Sequence, residues 1–93
     1  MKTFRWSEAN NTRLKYERGV SFEEIVVAVA AGQLLDVLEH RNRDRYPRQK
    51  VLVVALRGCA YLVPCVDEPD GYVLKTIIPS RKATRDYLKG LGH

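Results

Sequence analysis

No stretch of this chain approaches the roughly 20 apolar residues that a membrane-spanning helix needs. The opening Met1-Lys-Thr-Phe-Arg-Trp6 lacks the apolar centre of an export signal, so neither a membrane span nor secretion is expected. Histidine occurs twice, as His40 and His93, and cysteine twice. No Cys-x-x-Cys pair is present and the carboxylates are scattered, so no metal site and no cofactor is expected. Cys59 and Cys65 fall in one predicted strand, which sets them on the same face about 20 Å apart. A disulfide requires Cα atoms within about 7 Å, so both read as buried thiols in a reducing, cytoplasmic compartment. Internal repeats, low-complexity tracts and linkers are also missing. The 93 residues, 45% hydrophobic and 29% charged, make one domain over 1–93.

What the chain has in excess is positive charge, unevenly distributed. The formal net charge is +5. Residues 1–39 hold five Lys/Arg against six Asp/Glu, whereas residues 40–93 hold eleven against five. Nine of the sixteen cations fall in two segments, 40–50 and 81–89. Brought together, those segments would form one basic groove for a polyanion.

The element signals are distributed as β-α-α-β-β-β-β-α. Phe4-Arg-Trp6 suggests a short edge strand. Ser7 can cap a mostly polar helix that runs to about Arg18 and is stopped by Gly19. Its few apolar residues, among them Leu14 and Tyr16 beside Trp6, are expected on the surface or against a partner. Ser21-Phe-Glu-Glu24 fits a capping box, with Val20 and Ile25 as its hydrophobic staple. Phe22, Ile25, Val26, Val29 and Ala30 then repeat at helical spacing until Gly32, as core. Leu34–Glu39 reads as a strand, followed by the basic loop 40–48. Lys50–Leu56 and Cys59–Val66 read as a hairpin turning at Arg57-Gly58. The last strand is expected over 72–78. Ser80 then caps a short helix carrying Arg81, Lys82 and Arg85. Cations oppose the dipole at a helix N-terminus, so this cluster makes sense if it faces an anion at the strand end. Sequential strands joined by tight turns predict an α+β fold with a mostly antiparallel sheet.

Three segments resemble the BrnT family, toxins of bacterial type II toxin–antitoxin pairs. They are Trp6-Ser-Glu-Ala-Asn-Asn11, Gly19-Val-Ser-Phe22, and Ile77-Ile-Pro-Ser-Arg-Lys-Ala-Thr-Arg85 with Tyr87. The family pattern is roughly W-x-E-x-K-N, K-H-G-V-S-F and I-S-A-R-K-A-T-R, and the likeness spans nearly the whole chain. It departs where Asn10 replaces Lys, Glu17-Arg18 replaces Lys-His, and Pro79-Ser80 replaces Ser-Ala. The histidine of the second motif is therefore not carried over. The resemblance implies a RelE-like fold: a compact sheet with two N-terminal helices and a short C-terminal helix. It also implies an endoribonuclease that inhibits translation, acting on free or ribosome-bound RNA. A BrnA-like, ribbon-helix-helix antitoxin would hold it inactive, and operator DNA would be reached only through that antitoxin.

Metal-free RNA cleavage needs a base for the 2′-OH, cations for the phosphorane, and an acid for the leaving 5′ oxygen. Arg81, Lys82 and Arg85 are the candidates for charge stabilisation. Lys75 stands among apolar strand residues, either as an edge charge or as an active-site amine. Tyr87 is a candidate acid or base-stacking ring. His40, at the start of the basic loop, is a candidate general base, with Asp36 and Glu39 as alternatives. Arg41, Arg43, Arg45, Tyr46, Arg48 and Lys50 are the candidate RNA contacts. Two other classes use the same surface: a non-catalytic RNA- or DNA-binding module, and an interaction domain for an acidic partner.

Overall fold

The computed structural model describes residues 3–89, and His93 lies outside them. The elements are β1 (Thr3–Arg5), α1 (Glu8–Arg18), α2 (Phe22–Ala30), β2 (Leu34–Glu39), β3 (Gln49–Leu56), β4 (Cys59–Glu68), β5 (Gly71–Leu74), β6 (Ile78–Ser80) and α3 (Arg81–Ala83), which runs on as a π-helical segment, Thr84–Lys89. This is an α+β fold with two N-terminal helices. The strand order is β1-β5-β4-β3-β2, with β6 also paired to β4. Every pairing is antiparallel except that of β1 with β5.

The helix termini follow their local chemistry. Ser7 Oγ accepts from the Asn10 N–H, and Gly19, at φ 66°, closes α1 with its N–H on the Lys15 carbonyl. Ser21 and Glu24 form the reciprocal capping box, and Val20 and Ile25 are fully buried around it. The buried stripe of α2 is Phe22, Ile25 and Ala28, at i, i+3 spacing. Ala30, expected in the core, is therefore turned to solvent. The β3–β4 hairpin closes Leu56 onto Cys59 through Arg57 (φ 52°) and Gly58 (φ 79°), the two positive φ values a type I′ turn requires.

α1 differs from expectation. Leu14 is 2% exposed and belongs to the main core, and Trp6 stacks on Phe22 at 5.7 Å. Neither is free for a partner; Tyr16, 92% exposed, is. Asn11 explains the close docking of the two helices. Fully buried, it accepts the Phe22 N–H at 2.9 Å and donates to Glu23 at 2.7 Å.

The expected strand 72–78 is two strands. Leu74 pairs with Cys65 and Ile78 with Leu62, so the register on β4 shifts by one residue across 75–77. That shift exchanges the faces. Leu74 and Ile77 both enter the core with Leu52, Val54 and Val63, while Lys75 is exposed on the other side. Lys75 and Ile77 thus do not share a face. Arg18, standing where the resembled family has histidine, donates to the Ile77 carbonyl and ties the end of α1 to this bulge.

The sheet has two unequal faces. One carries the main core beneath α1 and α2. Among the described residues the other is covered only at one end, where Ala83, Tyr87 and Leu88 pack on Val53, Ala60 and Leu62. Leu38 (39% exposed) and Ile78 (40%) lie on the uncovered part. Cys65 is buried as expected. Cys59 is exposed instead, because it follows the turn directly at the end of the sheet.

Candidate functional site

His40 continues β2 on the uncovered face, where its N–H bonds the Gln49 carbonyl at 3.1 Å. Alternation along the paired strands adds Gln49, Val51, Pro64 and Val66 to the same face. These residues, with Lys75 from the bulge, line a pocket of about 250 Å³ to which Lys50 and Cys65 also contribute. The Lys75 N–H bonds the Pro64 carbonyl at 2.8 Å, which fixes the backbone of the bulge against β4. Three residues singled out in the sequence, His40, Lys50 and Lys75, are thus brought together from separate elements. Gln49 and Pro64 carried no signal, since only the strand register shows that they flank His40.

The imidazole is fixed in orientation. Nδ1 accepts the backbone N–H of Asn42 at 2.9 Å, and the ring leans on Tyr46 with centroids 4.7 Å apart. In the neutral ring the hydrogen is therefore on Nε2, and the free nitrogen is a donor. The general-base role expected of His40 would need Nδ1 released from the Asn42 N–H; as it stands, the ring presents its Nε2–H donor. Arg45 lies over the Tyr46 ring at 5.6 Å, a cation–π contact that steadies the platform.

The remaining loop cations divide by partner. Glu39 pairs with Arg43 at 3.0 Å and with Lys50 at 3.4 Å, and Arg48 pairs with Glu68 at 3.3 Å. The hydrogen bonds from Arg43 and then Lys50 hold the Glu39 carboxyl below its ordinary pKa, which makes it a poor base. Arg41 and Arg45 have no carboxylate partner among the described residues and remain available to an anion.

The C-terminal cations lie elsewhere. Ser80 pairs with Ala60 and Lys50 with Cys65, so the two basic segments are five residues apart on β4, roughly 17 Å. The single groove expected from the sequence is therefore two sites. Arg81 and Arg85 line a second pocket of about 490 Å³ with Cys59, Pro79, Ser80 and Thr84, and Lys82 is exposed beside it. Ser80 Oγ takes the Ala83 N–H at 3.0 Å, and Thr84 Oγ1 bridges the Ser80 carbonyl and the Ala60 N–H. With α3 only three residues long, an anion there would be held by side chains and not by a helix N-terminus.

Tyr87 is engaged in the fold. Its hydroxyl donates to Asp36 at 2.7 Å while its ring packs in the second core. The Asp36 hydrogen bond, then burial, raise its pKa above the ordinary tyrosine value. It fastens the C-terminal segment to β2, and its hydroxyl would have to leave Asp36 to act as the acid expected from the sequence. Asp36 is occupied as well, accepting from Tyr87 and from the Val37 N–H at 2.8 Å.

Among the described residues no three His, Cys, Asp or Glu side chains converge as metal ligands, and no helix is long and apolar enough to cross a membrane. No protein-family model, curated protein or solved structure matches the chain.

Proposed function

We propose that the chain is a BrnT-like toxin: a cytoplasmic endoribonuclease that cleaves RNA without metal, inhibits translation, and is silenced by a ribbon-helix-helix antitoxin. The observation that carries this reading is the exposed sheet face, where His40 and Lys75 meet in one pocket at the start of the loop that carries Arg41 and Arg45, neither of which has a carboxylate partner among the described residues. In-line attack of a 2′-OH concentrates negative charge on the phosphorane oxygens. The Lys75 ammonium supplies a donor for that charge, while Arg81 and Arg85 hold the strand further along. His40 Nδ1, once released from the Asn42 N–H, takes the 2′-OH proton, and the imidazolium returns a proton to the leaving 5′ oxygen. Trp6 and Asn11 of the first resembled segment support the reading differently, together with Arg18, which stands where the family pattern has histidine. They join α1, α2 and the bulge that carries Lys75, so the resembled segments act as one structural unit.

A non-catalytic RNA-binding module is the second reading. The observation favouring it is that two proton-transfer candidates, His40 Nδ1 and the Tyr87 hydroxyl, are already engaged. Expression of the chain alone in bacteria, with cleavage of a defined messenger RNA by the purified protein, separates the two. The toxin reading expects growth arrest and cleavage, both lost in Lys75→Ala and in Arg81→Ala while circular dichroism stays unchanged. RNA binding without any cleavage would establish the module instead.

A further inference from the structure

We propose that the pocket beside His40 is a nucleobase subsite that takes an unpaired adenine of single-stranded RNA. The proposal rests on the RNA reading above and extends it from phosphate handling to base recognition. The pocket, about 250 Å³, has room for one base but not for a base pair. Its walls combine Val51, Pro64 and Val66, flat apolar surface suited to the faces of a ring, with two directional groups at one end. Gln49 and His40 occupy directly opposed positions on neighbouring strands, locked by the His40 N–H to Gln49 carbonyl bond.

The chemistry of that pair fits adenine, which meets the amide on one edge and keeps a second bare ring nitrogen for His40, whereas the amide alone would suit the open edge of any base. A glutamine amide offers one donor and one acceptor side by side, which matches the amino group and adjacent ring nitrogen of adenine. His40, with Nδ1 held by the Asn42 N–H, adds an Nε2–H donor for a further ring nitrogen. Tyr46 against the imidazole keeps that donor aimed without occupying the pocket. Lys75 and Lys50 line the pocket and Arg41 directly follows His40 in the chain, so positive charge is at hand for the phosphates flanking the base. Bases inside a duplex cannot enter, because their reading edges are paired and stacked.

The test uses the full chain and adenosine 5′-monophosphate, followed by NMR chemical shifts of the His40 and Gln49 signals. Saturable binding of this nucleotide is expected, at least about tenfold tighter than that of the guanosine, cytidine and uridine monophosphates or ribose 5-phosphate. Gln49→Ala should lower that affinity about tenfold, the size of one bidentate hydrogen-bond pair to a base. His40→Gln, which can restore a donor, should lower it less than His40→Ala. Equal binding of all four nucleotides, or of ribose 5-phosphate and the adenosine nucleotide, would overturn the assignment. Binding without RNA cleavage by the same protein would leave the subsite standing and sink only the ribonuclease reading.

Discussion

Asn11 shows how one polar side chain can hold an interface together. It is buried between α1 and α2, satisfies the Phe22 N–H, and fixes Glu23 on its other side. Removing it would strand a buried N–H group, which costs about 2 kcal/mol. Asn11→Ala is therefore expected to lower the unfolding free energy by about that amount in urea titrations, whereas Thr12→Ala, on the exposed side of the same helix, should be close to neutral. The Asn11 hydrogen bond also has a pH consequence. It is the largest of the influences that hold the Glu23 pKa below its ordinary value, with Lys15 adding a charge contribution. A carboxylate depressed in the folded state stabilises the protein above its unfolded pKa, and that stabilisation is lost as pH falls through the folded value. Thermal melts between about pH 5 and 3 should therefore show a shallower loss of stability for Glu23→Gln than for the wild-type chain. An identical acid slope in both would remove Glu23 from the account.

Among the elements, β1 and the split last strand depend most on tight geometry. Gly71, at φ 155°, pairs with Thr3 so closely that a Cβ there would lie 2.3 Å from the Thr3 carbonyl oxygen. Gly71→Ala should push β1 off β5, destabilise the fold by about 2 kcal/mol, and raise hydrogen exchange in residues 3–5 ahead of the rest of the sheet. Uniform exchange across the sheet would show that β1 is not a separable element. The bulge at 75–77 matters more for the site. Without its one-residue shift, Ile77 would leave the core and the chain would reach β6 on the wrong face. The fixed backbone of Lys75 is thus a product of the same distortion that seats Ile77.

At the scale of the whole molecule the charge is divided between two ends of β4. A polyanion that touches both must run between them, and each end then contributes its own counterion release. Single-stranded RNA affinity should fall steeply with salt, and each phosphate left without its cation should reduce the logarithmic slope by about 0.7. Substituting Arg81 and Arg85, or Arg41 and Arg45, should each flatten the slope by up to about 1.4, and the four together by about twice that. A slope changed by only one of the two pairs would confine the RNA to that end.

The sequence by itself determined the elements whose causes are local. Ser7, Gly19, Ser21 with Glu24, Arg57-Gly58 and Ser80 each act within a few residues of their own position, and caps and turns formed there as their chemistry dictates. The α+β class followed from their order. What only the tertiary structure decided depends on interactions between distant segments. Strand register, set by packing on the shared core, placed Gln49 beside His40 and carried the two basic segments to opposite ends of the sheet. The bulge turned Lys75 away from Ile77, and the Asn42 N–H and the Asp36 carboxylate engaged His40 Nδ1 and the Tyr87 hydroxyl. A side chain's residue type states what chemistry it can perform. Which of its atoms remains free to perform it is settled by neighbours that the linear order does not reveal.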